Sequence, residues 1–517
     1  MSESVKNAER KAKTGYILAI VFAFVCLGVL IYASWRFYSI FSTFKMLPVK
    51  WGEWLLTGLA ALCFVLGVFV IWPNIKTMGK LIWGVICLIF STVLFFGCWY
   101  LPQIRSRVEI MFTEVPTEGE LEVAFFELKN PETEAADALL ENETIDIKSY
   151  KDKTIAVVPG LDKENEDYAL LYLSRAMDTD HVNTVMMDDL WAAVDSFYNG
   201  ETDLLMINTS YIPVINNVTE YSVFEERTNQ IYSVKKKIQL IDKGTVSDIT
   251  QEPFTVLIAG TDENGEVTLG GRTDVNILAT VNPVTKQVVI ATTPRDSWIP
   301  NPALAYTNDK LTHMGIFGMQ NTMKALSDLY ETEVNQYVLV NFDTFTRIID
   351  RIGGITIYNP YGFMADSIPE YQGYFEEGEI FMRWGVEALA YVRERYNLPN
   401  GDFDRNMHQQ IVLKALIQKL TSLESVSKID QILEAMEGQF LTTFTIDEIY
   451  AFCQMQLDDL AHWNIQTYSV TGGFGMEYCA AMGYTDKLSI VYPNYEDVQK
   501  VRDAIDRCEA GEILSEE

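Results

Sequence analysis

Arginine side chains cluster in one short segment of a chain that is otherwise strongly acidic. The segment YVRERYNLPNGDFDRNMHQQ covers residues 391–410 of 517, and the whole chain carries a formal net charge of −31. Arg393 and Arg395 stand two positions apart, so they share a face if the chain is extended there. With Arg405 they could converge on one phosphate or diphosphate, which guanidinium groups bind bidentately. The segment therefore predicts a local anion site.

Other charged side chains lie beside the predicted ends of strands and helices. Arg272 and Asp274 also stand two positions apart in GGRTD, and an extended chain would place them on one face. Arg405 and Gln409 are four apart, so they project from the same face of a predicted helix. The further candidates at such positions are Asp262, Arg295, Lys310 and Asp402.

The carboxylates in this set indicate a hard cation. Asp262 and Asp274 lie far in sequence from any His/Cys cluster, and Mg²⁺ usually takes one or two carboxylates together with substrate phosphate and water. Taken together, the residues predict a site for a diphosphate and Mg²⁺. Taken singly, each arginine is equally well explained as a partner in a structural ion pair.

The first hundred residues predict a membrane anchor. Apolar runs at 15–34, 54–72 and 81–100 are each long enough to cross the hydrocarbon core, which takes about 20 residues. Cations precede the first run, which predicts a cytoplasmic N-terminus. Residues 1–104 are therefore interpreted as a cytoplasmic tail and three transmembrane helices of a multi-pass membrane protein. The rest of the chain would be extracytoplasmic.

The charge of that remainder argues against one class of partner. Residues 1–100 have a net charge of +6, so the other 417 residues carry −37. A surface this acidic repels the phosphates of nucleic acids. We therefore expect no nucleic acid partner.

Three cysteines fall in the predicted extracytoplasmic part, where a disulfide can persist. Cys479 and Cys508 are the pair for which we expect a bridge. Cys453 lies in a helix-like run and is left out of this pairing.

Hydrophobic periodicity divides the extracytoplasmic part into two α/β regions. Residues 105–230 alternate short strands and helices, which is typical of a parallel α/β unit. This accessory domain resembles one lobe of a solute-binding protein, and a domain that packs without binding a solute is the alternative. A linker is predicted at 231–252. Residues 253–517 predict an α/β or α+β catalytic domain, with a central sheet flanked by helices and a core at 254–420.

Several motifs of the last domain resemble the LytR-CpsA-Psr family of cell wall glycopolymer transferases. They are IAGTDENGEVTLGGRTDVNILATVNPVTKQVVIATTPRDSWI, DKLTHMGIFG, VNFDTFTRIIDRIGGITI and GVEALAYVRERYNLPNGDFDRNMHQQIVLKAL, in the order of the family. The resemblance implies transfer of an anionic glycopolymer, such as teichoic acid or capsule, from a polyprenyl-pyrophosphate carrier to peptidoglycan at the membrane. The product would be a phosphodiester.

The resemblance also implies roles for individual residues. Asp262 and Asp274 match the Mg²⁺ ligands, and Asp402 is a candidate general base. The positions matched to pyrophosphate binding are Arg272, Arg295, Lys310, Arg393, Arg395, Arg405 and Gln409; of these, Arg272, Arg295, Arg393 and Arg395 are expected to act in catalysis. His408 stands where the family more often has arginine, and GTDENG departs from the usual GxDxR.

Two other functions are compatible with the same residues. Water could replace the acceptor, which would make the protein a Mg²⁺-dependent lipid pyrophosphatase. Alternatively, the arginines could bind a lipid phosphate without catalysis, as a sensor or regulator of the cell envelope.

Overall fold

The chain forms two compact units in a computed structural model. One unit contains Met1–Thr113, Lys419–Glu437 and Thr445–Ala461, and the other contains Glu114–Gln418, Gly438–Phe444 and His462–Glu517. The structure describes residues 3–42, 49–111, 118–129, 145–216, 218–239, 246–261, 271–422, 432, 440–484 and 486–515.

Long apolar helices form the N-terminal part of the first unit. They are α1 (Glu3–Ser42), α2 (Val49–Ile71) and α3 (Thr77–Met111). Buried side chains from all three helices, among them Leu30, Leu66 and Cys87, pack together between them. By length and composition, each helix contains a segment able to cross a membrane: Glu9–Ser42, Gly52–Ile71 and Thr77–Tyr100.

A five-stranded sheet with the order β3-β2-β4-β1-β5 forms the accessory domain. Strand β2 is parallel to β3 and β4, whereas β1 is antiparallel to β4 and β5, so only part of the sheet has the parallel arrangement expected. The strands are β1 (Glu118–Leu128), β2 (Thr154–Val157), β3 (Asn183–Met186), β4 (Leu204–Asn208) and β5 (Thr228–Gln239). The longer helices are α4 (Pro159–Met177) and α5 (Leu190–Tyr198), and the short ones are Ile212–Asn216 and Phe224–Arg227.

Strand β5 corrects the predicted start of the linker. The linker was expected from 231, but β5 pairs with β1 as far as Gln239. Ile231 and Val234 are buried in the core of the accessory domain. Three consecutive lysines, Lys235, Lys236 and Lys237, lie on the strand itself, where Lys235 is 3.6 Å from Glu120 of β1. The strand pairing and these buried side chains therefore make the segment part of the accessory domain.

A six-stranded sheet with the order β16-β11-β6-β7-β8-β17 is the centre of the catalytic domain. The hairpin β7–β8 turns at 283–286. The strands of this sheet are β6 (Phe254–Thr261), β7 (Val275–Asn282), β8 (Gln287–Thr292), β11 (Gln336–Asn341), β16 (Phe440–Thr442) and β17 (Asn464–Ser469). Smaller strand pairs surround it: β9 (Trp298–Asn301) with β10 (Thr307–Lys310), β12 (Ile355–Asn359) with β15 (Gly378–Met382), β13 (Phe363–Ile368) with β14 (Tyr371–Phe375), and β18 (Gly472–Tyr478) with β19 (Lys487–Pro493).

Helices cover the central sheet, which confirms the predicted fold class. One face packs against α6 and α11 through a buried apolar cluster that includes Leu257, Leu278, Leu326 and Ile505. On α9, the Gln410 side chain donates a hydrogen bond of 2.6 Å to Thr292 Oγ1 of the sheet. The helices of this domain are Leu311–Met314, α6 (Met319–Tyr330), α7 (Phe342–Ile352), α8 (Gly385–Arg393), α9 (Asp402–Leu420) and α11 (Tyr495–Glu509). A further helix, α10 (Ile446–Asp459), belongs to the first unit.

The expected Cys479–Cys508 bridge is wrong, because both residues are free buried thiols. Cys508 lies on α11 in the apolar cluster of the central sheet. Cys479 follows β18, beside the carboxylate of Asp309. The two thiols therefore belong to different packing environments.

Candidate functional site

A cavity of about 270 Å³ lies beside β7, β8, β13 and the helices α7, α8 and α9. Four arginines line it: Arg295, Arg393, Arg395 and Arg405. The other lining residues are Asp274, Val275, Phe342, Ser367, Val392, Tyr396 and Gln409. Distant parts of the chain thus meet at one strongly cationic site.

A buried carboxylate shapes the turn that carries two of these arginines. Helix α8 ends at Arg393, and the next residue, Glu394, has an extended backbone and a fully buried side chain. Burial works to raise the pKa of Glu394, but its hydrogen bonds outweigh this effect and lower the pKa. Four donors bind it at 2.9–3.0 Å: Asp366 N, Ser367 Oγ, Arg395 N and Asn397 N. The ionised carboxylate therefore fixes the direction of the chain between the two arginines.

Aromatic rings hold the same two guanidinium groups in place. The guanidinium of Arg393 lies 4.4 Å from the ring centre of Phe342, at the start of α7. Arg395 lies 4.6 Å from the ring of Tyr396 and donates to its hydroxyl at 2.9 Å. Such cation–π contacts restrict long side chains and leave their N–H groups available to a ligand.

The first turn of α9 supplies an almost buried ion pair. Arg405 lies 2.9 Å from Asp402, and their side chains are 10% and 9% exposed. Arg395 approaches the same carboxylate at 3.8 Å. Burial lowers the pKa of Arg405, and Asp402 opposes this shift. In this structure Asp402 is the counter-ion of two arginines, which differs from the environment of an isolated general base.

Arg295 connects the arginine cluster to a second carboxylate. Its guanidinium is 2.7 Å from Asp274. Burial works to lower the pKa of Arg295, but Asp274, Asp296 and Asp402 together raise it. The next residue, Asp296, forms an ion pair with Lys310 at 3.0 Å. Lys310, which the sequence predicts to belong to the site, is therefore linked to the neighbour of Arg295.

The structure brings together most, but not all, of the predicted site residues. Asp274, Arg295, Arg393, Arg395, Arg405 and Gln409 line the cavity. Asp402 pairs with Arg395 and Arg405, and Lys310 pairs with Asp296, the neighbour of Arg295. Arg272 is exposed, contacts Met482 Sδ at 3.7 Å and does not line this cavity. Arg272 and Asp274 were expected to lie on one face of an extended strand, but β7 begins only at Val275, so neither residue belongs to the strand. Asp262 lies outside the described residues.

Sequence reasoning missed the residues that orient the arginines. Tyr396 and Glu394 had a local signal, since they adjoin Arg395 in the chain. Phe342 had no such local signal, because it contacts Arg393 from the start of α7, about 50 residues earlier in the chain.

The donor atoms at the cavity suit a hard cation. Asp274 offers carboxylate oxygens at the cavity wall, and its ion pair with Arg295 uses Oδ1. Mg²⁺ prefers such oxygens together with those of a substrate phosphate. The residues present therefore fit the ion that the sequence suggests.

A second group of possible metal ligands is better explained by hydrogen bonds. The ligand atoms of Asp309, His313 and Cys479 lie within 4.8 Å of one another and are buried. The Asp309 carboxylate accepts hydrogen bonds from Lys310 N and Ala481 N at 2.7 Å, and it lies 2.7 Å from His313 Nδ1. Burial raises the pKa of the Cys479 thiol to about 12. These hydrogen bonds account for the Asp309 carboxylate as part of the local structure.

His408 lies in the hydrophobic interior. Its ring stacks at 4.2 Å on Tyr391 and at 4.8 Å on Phe363, and its Nε2 is buried without a hydrogen-bond partner among the described residues. Burial lowers the pKa of His408 to about 4. The side chain is therefore neutral and is absent from the residues that line the cavity.

The substitution His408→Phe is expected to remove about 3 kcal/mol of the pH dependence of unfolding between pH 6.5 and 4. The pKa is about 4 in the folded state and about 6.5 in an unfolded chain, so the unfolded state takes up the proton first and stability falls as the pH decreases through this range. Phenylalanine preserves the stacked ring and does not titrate. Free energies of unfolding at pH 7, 5.5 and 4 test this, and parallel curves for both proteins would contradict it.

Comparison with known proteins places these residues in a family. A family model described as the LytR_cpsA_psr family matches residues 214–501. The polyisoprenyl-teichoic acid–peptidoglycan teichoic acid transferase TagU of Halalkalibacterium halodurans is 32% identical over 272 residues, which cover 52% of this chain and 86% of that relative. The TagU of Bacillus subtilis is 32% identical over 235 residues, covering 44% and 73%. The crystal structure of B. subtilis TagV is 27% identical, with a TM-score of 0.43, and the match covers 52% of this chain and all of that one.

Proposed function

Because the chain belongs to the LytR-CpsA-Psr family, we propose that it transfers an anionic glycopolymer from a polyprenyl-pyrophosphate carrier to peptidoglycan. The observation that carries this proposal is the single cavity lined by four arginines and Asp274. Relatives that share about a third of the aligned residues are named teichoic acid transferases. Teichoic acid is therefore the first polymer to test.

The arginines would bind the diphosphate and stabilise the charge that develops during transfer. Phosphoryl transfer requires positioning and charge neutralisation more than covalent chemistry from the protein. An acceptor hydroxyl attacks the phosphate attached to the polymer, a new P–O bond forms, and the bond to the polyprenyl phosphate breaks. Arg393 and Arg395, held by aromatic rings, would stabilise the departing phosphate. The Asp402 ion pairs favour a role in positioning Arg405 and Arg395 over a role as the base.

We assign the Mg²⁺ ligands to Asp274 and, as the resemblance implies, Asp262. When bound, the ion would polarise a diphosphate oxygen as a Lewis acid. Asp274 would then serve both the ion and Arg295, whose guanidinium it orients.

The second face of the central sheet offers an apolar surface for the polyprenyl chain. Ile258 of β6 and Val338 and Val340 of β11 are only half-buried. Their neighbours Leu257 and Leu339 are buried in the core on the opposite face. Strands 254–259 and 336–341, with the helix at 342–352, would line a channel that leads to the arginines.

The three apolar helices support attachment to the membrane that contains such a lipid. Lys6, Arg10, Lys11 and Lys13 precede the first span, which favours a cytoplasmic N-terminus. An odd number of spans would then place the catalytic domain outside the cell, where peptidoglycan lies.

Dependence on the acceptor tests the proposed reaction. The full-length protein in lipid vesicles is incubated with Mg²⁺ and a lipid-linked polymer, with and without peptidoglycan. We expect polymer bound to peptidoglycan, and at least about tenfold less release of polymer when peptidoglycan is omitted, because an activated hydroxyl is the better-positioned nucleophile. Equal release in both reactions would indicate the pyrophosphatase, and binding without turnover would indicate the sensor.

A further inference from the structure

The accessory domain packs against the catalytic domain through a shared hydrophobic core. Its residues Trp191, Val194 and Tyr211 cluster with Leu304 and Ile316 of the catalytic domain. The Tyr211 hydroxyl donates to Ala303 O at 2.8 Å. This contact lies near the carboxyl ends of β2 and β4, where an open α/β domain would bind a ligand.

That ligand position is nearly filled in this domain. The cavity beside Val158, Asn208 and Tyr211 has a volume of only about 10 Å³. This is about the space needed for one water molecule. The alternative of an accessory domain that packs without binding a solute therefore agrees better with the structure.

A buried hydrogen bond leads from this interface toward the active site. The indole Nε1 of Trp191 donates to Ala480 O at 2.5 Å, and the Trp191 side chain is almost entirely buried. The next residue, Ala481, donates its backbone N–H to Asp309 Oδ2 at 2.7 Å. Gly483 has a φ of +66° and leaves room for Val218 of the accessory domain, since a Cβ there would lie 2.9 Å from a Val218 methyl group.

Asp309 in turn orders the chain around Lys310. Its Oδ1 accepts the backbone N–H of Lys310 at 2.7 Å. The Lys310 amino group binds Asp296 at 3.0 Å, and Thr312 N donates to Arg295 O at 2.8 Å. The segment 309–312 therefore contacts both Arg295 and, through Ala481, the segment to which Trp191 donates.

We propose that Trp191 is a positioning residue for the transferase, acting through Ala480, Ala481 and Asp309 on Lys310. This rests on the proposed function, because Lys310 pairs with Asp296 next to Arg295, and Arg295 lines the cavity proposed to bind the diphosphate donor. Trp191 lies outside the residues that match the family model, so the hydrogen bond that it donates to Ala480 is a feature of the accessory domain. The accessory domain would thus set the affinity for the donor and leave the acceptor unaffected.

The test is Trp191→Phe in the full-length protein in lipid vesicles. Phenylalanine keeps an apolar ring but removes the indole donor, leaving Ala480 O unpaired. We expect KM for the lipid-linked donor to rise about tenfold while KM for peptidoglycan is unchanged. A loss of folded protein alone would lower kcat and leave both KM values as they were.

Tyr221→Phe is the matched control. Tyr221 stacks on Trp191, and its hydroxyl donates to Asp195, so the variant loses a hydrogen bond that stays inside the accessory domain. We expect both KM values to match those of the parent protein. If Trp191→Phe does not fold, Asp309→Asn tests the same chain of contacts and is expected to raise the donor KM.

A double variant shows whether the effect passes through Lys310. Trp191→Phe should add little to Lys310→Ala, because coupled residues are not additive. The proposal would be overturned if the two substitutions raise the donor KM by factors that multiply in the double variant. It would also be overturned if Trp191→Phe alone leaves the donor KM within twofold of the parent value.

If Arg395→Ala abolishes transfer while Trp191→Phe leaves the donor KM unchanged, this inference alone fails. If neither variant affects transfer, the proposed function fails with it.

Discussion

Replacement of Arg395 by alanine is expected to lower the rate of polymer transfer about 100- to 1000-fold, with little change in stability. A preorganised donor that meets developing charge contributes about this much to kcat. Arg395 lines the cavity and is 32% exposed, so its loss leaves no large buried void. Asp402 keeps its closer partner Arg405 at 2.9 Å. Initial rates of transfer, measured beside thermal unfolding of the same samples, test both parts of this expectation.

Two further variants separate charge from geometry. Arg395→Lys keeps the positive charge but loses the planar fork that binds phosphate bidentately, so an intermediate rate is expected. Arg383 also stacks on an aromatic ring, 5.2 Å from the centre of Trp384, but it does not line the cavity. Arg383→Ala should therefore transfer polymer normally. A parental rate in Arg395→Ala would remove this arginine from the mechanism.

Features with a local periodic signal could be predicted from the sequence. The three apolar helices follow from length and hydropathy, and the β7–β8 hairpin follows from its turn residues. Arg405 and Gln409 reach the same cavity because four residues are about one turn of α9. In each case the sequence of a single helix or hairpin contains the information needed for the prediction.

Features that depend on tertiary contacts could not be predicted in this way. The hairpin β18–β19 was missed because its glycine-rich first strand lacks clear alternation. Helix α8 ends at Arg393 because the carboxylate of Glu394 binds backbone N–H groups of the following turn, and the helix does not continue. The contact between Trp191 and Ala480 joins residues 289 positions apart. No local pattern contains that information.

Removal of the Glu394 side chain is expected to destabilise the protein by about 3–5 kcal/mol, because it takes a charged acceptor away from four part-buried donors. The carboxylate is fully buried and binds four donors around the arginine turn. In Glu394→Ala the turn loses its fixed direction, so Arg393 and Arg395 no longer meet the diphosphate together. A displacement of about 1 Å can cost about 100-fold in rate, and transfer should fall at least that far. Chemical denaturation and initial rates measure the two effects.

The matched variant Glu394→Gln keeps the shape of the side chain and one of its two acceptor oxygens. Oε1 binds Arg395 N and Asn397 N, whereas Oε2 binds Asp366 N and Ser367 Oγ, so an amide can satisfy only one of these pairs. Glu394→Gln is therefore expected to lose about half as much free energy of unfolding as Glu394→Ala. Glu379→Ala removes an exposed carboxylate from the same domain and should change neither property. Parental stability and transfer in Glu394→Ala would show that the arginines are oriented without this carboxylate, and the aromatic contacts of Phe342 and Tyr396 would then have to hold them alone.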